Sequence, residues 1–402
     1  MRSADKDELR DFTRRLLPDA DFDLNYVFYY CETNNIRKSC VNEIDLNYLF
    51  QSSFVLGGLV HSVDQLEIKD LFDWLSLHKS MRQLSVAHLA KGDFLSFLNS
   101  KKLGYFLGCV LDSDICIHYT VINVLYYSLV DIVVSALFKS DFALFLDAGY
   151  LRFLKNAVYK IAKIEKTAFL SLFYRYGYPF IKKELIPFFV RDLVGIFEGY
   201  AELFEEEVSL ISLNQILLAC KKEYSEHALT DEKDFVLLKN FSESYLRRIY
   251  LFENSFHVFD EAGSVRTELN DYTFRRRGIA MIPYSVEDSK NNLFIQVSGV
   301  LVDLVGKLSV FINTSSRENL ERSIRGLNKT QSDNLDKFLS LINKSQCRNP
   351  AFIHTVDSLD ETLKMKMLYE LRGRQSGLLK TCNRSVKSFS DSRASQFSSV
   401  VL

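Results

Sequence analysis

The chain contains few of the residues that interrupt regular structure, with 5 Pro and 16 Gly among 402 residues, and it has 1 Trp. Proline and glycine are the main residues of turns, and all-β proteins need many turns. Their scarcity therefore argues against an all-β fold and favours helices with short connections. Long apolar side chains are abundant instead, with 32 Phe and 20 Tyr, which is enough to build a large core.

No CxxC pair occurs among the 7 cysteines, and their number is odd. This argues against a disulfide framework and against a zinc cluster, and it predicts a reducing, cytoplasmic location. The first 15 residues are charged throughout, so we predict no signal peptide. The formal net charge of -1 provides no overall positive field, so binding of nucleic acid would require a local basic patch.

One apolar segment, Val121–Phe138, approaches the length of a membrane span. It contains Asn123, Ser128, Asp131 and Ser135, and its flanks lack an anchoring pattern. A helix needs about 20 apolar residues to cross roughly 30 Å of hydrocarbon. We therefore predict a buried core helix and no membrane association.

Strand patterns lie in two separate parts of the chain. Tyr26–Tyr30 and Phe50–Val60 predict strands, and Gly57–Gly58 predicts a bulge or a close backbone approach. Phe256–Asp260 predicts a third strand, and Leu293–Phe311 an apolar helix. Between these parts the pattern predicts helices over 121–139, 141–162, 165–177, 180–207, 210–222 and 231–249.

Other segments are compatible with more than one secondary structure or have a weaker hydrophobic pattern. Periodicity does not decide between helix and strand at Leu103–Val110 and Ile115–Val121. Asp64–Leu77 has helical spacing, and 317–344 predicts an amphipathic helical region that packs on its own domain. The Ser-rich residues 382–402 predict a mobile tail.

A series of short stretches carries a resemblance to a known family. They are Tyr26–Tyr30, Glu32–Lys38, Phe54–Gly58, Ala87–Phe94, Ile117–Tyr119, Asn123–Tyr127, Val130–Ile132, Asp288–Lys290 and Ile295–Val297. In this order they resemble a bacterial RNase H-like family catalogued as domain of unknown function 3800. The resemblance extends over residues 26–311, roughly three quarters of the chain.

The resemblance implies an α/β fold: an RNase H-like mixed sheet with a large helical insertion and a helical C-terminal segment. A polar N-terminal helix and linker would occupy 1–20 and the flexible tail 382–402. The implied parts between them are the first part of the core at 21–120, the helical insertion at 121–255, the second part of the core at 256–312 and the C-terminal helical segment at 313–381.

The resemblance also implies a metal-dependent nuclease site. Its acids would lie on the first strand, near the middle of the chain, on a later strand and on a late helix. Two divalent ions about 4 Å apart would flank a phosphodiester, one activating water and the other stabilising the leaving oxygen. Mg²⁺ requires hard oxygen ligands in near-octahedral geometry, so three or four carboxylates are needed.

This chain departs from the implied site at three positions. The first-strand aspartate corresponds to Cys31, a soft ligand that suits Mg²⁺ poorly. The mid-chain acid corresponds to Gln83, and the late-helix aspartate to Gly299. The strand-end acid is retained as Asp260, with Glu261 beside it. We therefore expect a catalytically degenerate nuclease with no metal cofactor, or with Mg²⁺ if the site is active.

Several acids are candidates for a rearranged site. Glu32, Asp260 and Glu261 are the candidate catalytic residues, although Glu32 is expected to point to the opposite face because strand side chains alternate. Asp260 and Asp303 are the candidate metal ligands; Asp303 lies one helical turn after Gly299, about 6 Å along the axis. The alternative interpretation of Asp260 is an acid that caps a strand-end turn.

Candidate contacts to nucleic acid are basic residues in two segments. Arg275, Arg276 and Arg277, with Arg266 upstream, form the strongest local basic patch, and a solvated loop is the alternative. His88 and Lys91 could contact phosphate, and a half-buried histidine at a helix start is the alternative. His118 and Cys31 lie in apolar runs, so we predict a core histidine and an inert buried cysteine.

These observations lead to three hypotheses. The first is a catalytically degenerate RNase H-like protein that acts as a scaffold, sensor or binding subunit in a bacterial anti-phage defence or mobile-element system. Its partners would be nucleic acid or a protein of that system. The second is an active Mg²⁺-dependent nuclease with a rearranged carboxylate site. The third is a structural homo-oligomer built through the helical block.

Overall fold

The computed structural model describes most of the chain in separate ranges. They are 3–34, 39–40, 52–63, 84–138, 148–178, 181–200, 236–238, 241–263, 265–269, 272–276, 279–280 and 282–376. The predicted helix at Asp64–Leu77, the residues Gln83 and Arg277, and the predicted tail at 382–402 lie outside the described residues.

A six-stranded mixed sheet forms the centre of the molecule. Its strands are β1 (Tyr26–Thr33), β3 (Ser53–Ser62), β4 (Cys116–Asn123), β6 (Phe256–Asp260), β9 (Tyr284–Glu287) and β10 (Ile353–Val356). Their spatial order is β10-β4-β3-β1-β6-β9. Short pairs form outside this sheet, β2 (Ser39–Cys40) with β5 (Val236–Leu238) and β7 (Arg275–Arg276) with β8 (Ile279–Ala280).

Strand direction places the C-terminal ends of five strands at one edge of the sheet. β3 runs antiparallel to both β1 and β4, so β1 and β4 point the same way. β6 is parallel to β1, β9 is parallel to β6, and β10 is parallel to β4. The residues that end β1, β4, β6, β9 and β10 therefore face the same edge, which is where α/β folds commonly place their sites.

Helices cover both faces of the sheet. They are α1 (Ser3–Leu16), α2 (Val86–Leu89), α3 (Phe94–Leu98), α4 (Lys101–Asp112), α5 (Val124–Phe138), α6 (Ala148–Ile164), α7 (Lys166–Tyr176), α8 (Ile186–Glu198), α9 (Ser242–Leu251), α10 (Val265–Leu269), α11 (Leu293–Thr314), α12 (Arg317–Arg325), α13 (Lys329–Arg348) and α14 (Leu359–Ser376). One core lies between the sheet and α5–α9, the other between the sheet and α4, α11, α13 and α14.

Alternation along β1 separates the two cores. Phe28 and Tyr30 are buried in the core beside α5–α9, whereas Cys31 is buried in the core beside α11. Successive strand side chains point to opposite faces, so one strand supplies both cores. A strand covered on both faces is nearly all apolar, as the sequence of β1 is.

The structure decides the two segments whose periodicity was ambiguous. Leu103–Val110 lies within α4, which begins after Ser100, whose hydroxyl accepts a hydrogen bond from the Leu103 N–H. Ile115–Val121 falls largely in β4, every residue of which is buried. The predicted helix over 231–249 was wrong at Val236–Leu238, which form a strand, and α9 begins at Ser242.

Gly57 and Gly58 provide the predicted close approach of backbones. A Cβ on Gly57 would lie 2.7 Å from the Cα of Tyr119 on the neighbouring strand. Gly58 has φ +154°, and a Cβ there would overlap the Tyr29 carbonyl oxygen and the Ser298 side chain. The Ser298 hydroxyl accepts a hydrogen bond from the Leu59 N–H at 3.0 Å, so α11 packs directly on the sheet at this point.

Among the described residues, α11 is the one helix long and apolar enough to cross a membrane. Its most apolar 18-residue window is 67% buried within the protein, as expected of a core helix. The predicted core helix at Val121–Phe138 is instead divided between the end of β4 and α5.

A buried polar cluster attaches the C-terminal segment to the sheet. The Asn123 side-chain amide donates to Tyr159 Oη at 2.7 Å and to Asp357 Oδ1 at 2.9 Å. Lys163 Nζ lies 3.1 Å from Glu361 Oε1, and the Glu361 side chain is fully buried. The segment predicted to be helical thus also adds β10, which ends directly before Asp357.

We expect an Asp357→Asn variant to gain stability over the wild type as the pH rises. Burial, reinforced by the Glu361 carboxylate, raises the pKa of Asp357 from 3.8 to about 7. The folded protein binds this proton more tightly than the unfolded chain, so wild-type stability falls between about pH 4 and about pH 7. Asparagine keeps an oxygen for the Asn123 amide and does not titrate.

The difference in Tm between variant and wild type measures this effect. It should grow between about pH 4 and about pH 7 and then level off. Titrating groups that do not interact with Asp357 cancel in the difference. A constant Tm difference across this range would contradict the prediction.

Candidate functional site

Three positions from distant parts of the sequence meet at one point beside α11. Cys31 lies near the end of β1, and the pairing of Tyr30 with Phe259 places it next to Asp260 at the end of β6. Cys31 Sγ lies 3.7 Å from Asp260 Oδ2. A Cβ built on Gly299 would lie 3.6 Å from the same sulfur atom. A side chain at position 299 would therefore point at Cys31.

These are the positions where the resemblance implies acids on the first strand, a later strand and a late helix. Of the three, Asp260 alone carries a carboxylate. The mid-chain position, Gln83, lies outside the described residues. The next residue, Leu84, donates its N–H to Gln296 Oε1 at 2.6 Å in the first turn of α11.

Asp260 has two roles in local structure. Its Oδ1 accepts a hydrogen bond from the Ala262 N–H at 3.1 Å, which is the turn-capping role predicted as the alternative. Its Oδ2 faces the Cys31 thiol. One carboxylate oxygen therefore caps the turn, and the other lies beside the thiol.

Cys31 is a buried, protonated thiol. Burial is the main cause that raises its pKa well above the usual range, and the negative charge of Asp260 raises the pKa further. Besides facing Asp260, the thiol donates to the Ile295 carbonyl at 3.2 Å. The nucleophilic form is the thiolate, so these surroundings support the predicted inert cysteine.

We expect Cys31 to react with iodoacetamide at least a hundredfold more slowly than the exposed Cys347 at about pH 8. The Cys31 residue is 8% exposed and its thiolate is disfavoured, whereas Cys347 is at the surface. Timed alkylation followed by peptide mass spectrometry measures both sites in one sample. Labelling in urea is the control, since it should bring the two rates together. Equal rates in the native protein would contradict the assignment.

Glu32 points to the other face of the sheet, as the alternation of strand side chains predicted. Its carboxylate accepts a hydrogen bond from the Tyr245 hydroxyl on α9 and packs against Gly263. A small cleft opens here, with space for about one water molecule. Its lining comprises Tyr30, Cys31, Glu32, Leu56, Tyr245, Phe259, Asp260, Gly263 and Val265.

The other candidate acids have partners of their own. Glu261 lies 3.3 Å from the Arg266 guanidinium, and both side chains are more than half exposed. Asp303 lies 3.8 Å from Lys307, whose ammonium also donates to the Gly92 carbonyl at 2.8 Å. Burial raises the pKa of Asp303, and Lys307 opposes that shift. Within the described ranges, no group of three or more His, Cys, Asp or Glu side chains is arranged to hold a metal ion.

Glu287 is an acid at this edge that sequence reasoning missed. It ends β9 and lies opposite Asp260 in the strand register. Its carboxylate accepts hydrogen bonds from Ser285 Oγ at 3.0 Å and from Asn292 Nδ2 at 2.7 Å. The sequence predicted no strand in this segment. The alternation of Tyr284 and Val286 was the available signal, but it is too short to stand out.

The basic candidates lie in two other segments of the chain. Arg275 and Arg276 form β7, and Arg277 lies outside the described residues. The half-buried position given as the alternative for His88 was wrong, because His88 is exposed. Its ring contacts the Ser85 hydroxyl at 2.8 Å within a capping box. Lys91 is exposed two residues after α2.

His118 is a core histidine, as predicted. It is 1% exposed, and its Nε2 lies 3.0 Å from the Tyr29 carbonyl oxygen. Burial lowers its pKa well below the usual range. The residue therefore stays neutral and belongs to the packing between β1 and β4.

Comparison of the chain with protein-family models finds no match, and neither curated proteins nor solved structures give one.

Proposed function

We propose that this protein is a catalytically degenerate RNase H-like protein that acts by binding or scaffolding and not by hydrolysis. The support for the fold is the order β4-β3-β1-β6-β9, an antiparallel meander followed by two parallel strands. That is the arrangement expected of an RNase H-like sheet. The sixth strand, β10, extends the sheet beyond the meander.

The convergence of Cys31, Asp260 and Gly299 is the observation that carries the proposal. In an active site of this kind each of the three positions would offer a carboxylate to paired Mg²⁺ ions. Here a protonated thiol and a hydrogen atom replace two of them. A thiol is a soft ligand, and a single carboxylate does not offset the charge of two divalent ions.

Charge at the sheet edge also favours a non-hydrolytic role. The described acids there are Glu32, Asp260, Glu261, Glu287 and Asp288, and the cations near them are Arg266 and Lys290. Without bound metal, this edge repels a phosphodiester. The carboxylates of Glu32 and Asp260 instead accept hydrogen bonds from the Tyr245 hydroxyl and the Ala262 N–H, respectively.

The resemblance supplies the biological setting of the proposal. Proteins of that bacterial family resemble components of anti-phage defence or mobile-element loci. A degenerate member would serve there as a cytoplasmic sensor, scaffold or binding subunit. Its partner would be a protein of the same system or a nucleic acid.

One observation favours a rearranged, active nuclease as the second candidate function. Glu287 lies beside Asp260 in the register, so two carboxylates end neighbouring strands. With Glu32 they would supply three acids to the cleft region. In such a site Glu32 and Glu287 would have to exchange their hydrogen bonds from Tyr245 and Asn292 for coordination of a metal ion.

A Mn²⁺ titration with a fluorescent DNA and RNA panel separates the two functions. We expect no saturable Mn²⁺ binding below millimolar concentration and no cleavage, with an Asp260→Ala variant indistinguishable from the wild type in both assays. Glu261→Ala is the matched surface control. Cleavage by the wild type that disappears in Asp260→Ala, but not in Glu261→Ala, would refute the degenerate site.

A further inference from the structure

Helices α4 and α13 run side by side in the same direction and begin at the same end. A Cβ on Gly104 would overlap the Asn334 side chain, so the two helices are in close contact. The Asn334 amide donates to the carbonyls of Leu98 and Ser100 at 2.8 Å each. Before the helices begin, Asn328 Nδ2 donates to Asn99 Oδ1 at 2.9 Å. The first turns of both helices therefore form one surface.

This surface is positively charged. Lys101 and Lys102 begin α4 and are exposed, and Lys329 begins α13 and is exposed. Lys337 reaches across to α4, where its Nζ donates to the Gly104 carbonyl at 2.8 Å. The one exposed acid on the first two turns of α13 is Asp333. Both helix dipoles also present their positive ends here.

The four lysines are not neutralised by carboxylates in the part of the chain that the structure describes. Each ion pair found there is formed by a lysine or arginine other than these four. A surface with lysines in excess over acids attracts polyanions, even though the whole chain is close to neutral.

An aromatic side chain lies within the charged stripe. Tyr105 is 54% exposed, and it follows Lys101 by four residues and Lys102 by three. Residues at these spacings are neighbours on a helix surface. Lysines that reach phosphates, combined with an exposed ring on which a base can stack, are the means by which proteins bind single strands without sequence preference.

We propose that the face formed by Lys101, Lys102, Tyr105, Lys329 and Lys337 binds single-stranded nucleic acid through its backbone phosphates and one stacked base. The inference goes beyond the proposed function, because these residues lie on the helical layer and not in the cleft beside Cys31. It holds whether or not the cleft has any activity.

Fluorescence anisotropy with a labelled single strand of about 20 nucleotides, at several salt concentrations, tests this proposal. For single strands, log K falls with log salt by about 0.7 per contacted phosphate. A Lys101→Gln/Lys102→Gln variant should therefore reduce the slope by about 1.4 and bind at least tenfold more weakly at low salt. Tyr105→Ala should weaken binding about tenfold while leaving the slope unchanged.

The matched control removes two other lysines. Lys182 and Lys183 are an adjacent, exposed pair before α8, and a Lys182→Gln/Lys183→Gln variant has the same net charge as the test variant. It should bind like the wild type. Circular dichroism and Tm confirm that every variant is folded, and all the substitutions are at exposed positions.

Several outcomes would overturn the proposal. These are absence of wild-type binding at low salt, an unchanged slope in the Lys101→Gln/Lys102→Gln variant, or an equal loss in the control. Equal competition by polyglutamate would show that the partner is an acidic protein and not nucleic acid. A Mn²⁺-dependent nuclease activity that survives the lysine substitutions would refute the proposed function and leave this inference standing.

Discussion

A Cys31→Asp/Gly299→Asp double variant is expected to gain a saturable divalent-cation site that the wild type lacks. The nearest atom to a Cβ at position 299 is the sulfur of Cys31 at 3.6 Å, so a Cβ fits there and directs the new side chain toward position 31. With Asp260 it would complete three carboxylates around one point. Three hard oxygen donors are the core of a Mg²⁺ or Mn²⁺ site.

The expected size of the effect follows from linkage. Without metal, three clustered carboxylates repel one another, so the double variant should have a lower Tm than the wild type in EDTA. A ligand that binds only the folded state stabilises it by about 2.7 kcal/mol at a concentration a hundredfold above Kd. The Tm of the variant should therefore rise by several degrees with millimolar Mn²⁺, while the wild-type Tm stays constant.

The control replaces the third acid. Asp260→Asn in the double-variant background should reduce the Mn²⁺-dependent rise to that of the single Gly299→Asp variant, since each leaves two carboxylates. The single Gly299→Asp variant provides a second test if the double variant folds poorly, and it should show a weaker response. A folded double variant whose Tm is insensitive to Mn²⁺ would mean that the three positions do not form a former metal site.

Gly58→Ala is expected to destabilise the protein by about 4 kcal/mol or more. Two effects add at this position. The backbone has φ +154°, which residues with a Cβ rarely adopt, and a Cβ would overlap the Tyr29 carbonyl oxygen and the Ser298 side chain. To relieve the overlap, α11 or β1 would have to move, and the Ser298 hydrogen bond to Leu59 would be lost.

Urea denaturation followed by circular dichroism measures this loss. Gly195→Ala is the matched control: Gly195 lies in the interior of α8, is exposed, and a Cβ there would meet no atom within 4 Å. That variant should be more stable than the wild type by up to about 1 kcal/mol, because alanine is the better helix former. A Gly58→Ala variant of wild-type stability would mean that α11 does not pack on the sheet as described.

Local sequence patterns predicted the elements whose secondary structure depends on residues nearby in the sequence. The apolar run of β1, the strand that ends at Asp260 and the long apolar helix were placed correctly, because burial and helical periodicity are properties of a short window. The amphipathic region 317–344 was predicted to pack on its own domain, and its apolar residues Leu320, Leu335 and Ile342 are buried in the core.

Elements that depend on distant partners were missed. β9 and β10 each have only four residues, and one lies before a helix and the other between two helices. Nothing in four residues distinguishes such strands from a loop. They become strands because β6 and β4 offer free edges, and those edges exist only after the rest of the sheet has formed.

The sequence by itself determined which chemical groups are available: a thiol at Cys31, an amide at Gln83, no side chain at Gly299 and a carboxylate at Asp260. Tertiary structure alone decided that Cys31, Asp260 and Gly299 share one point, that Tyr245 donates to Glu32, and that lysines from two helices form one face. The physical reason is that residue type is a local property. Proximity arises from strand register and helix packing, which join residues hundreds of positions apart.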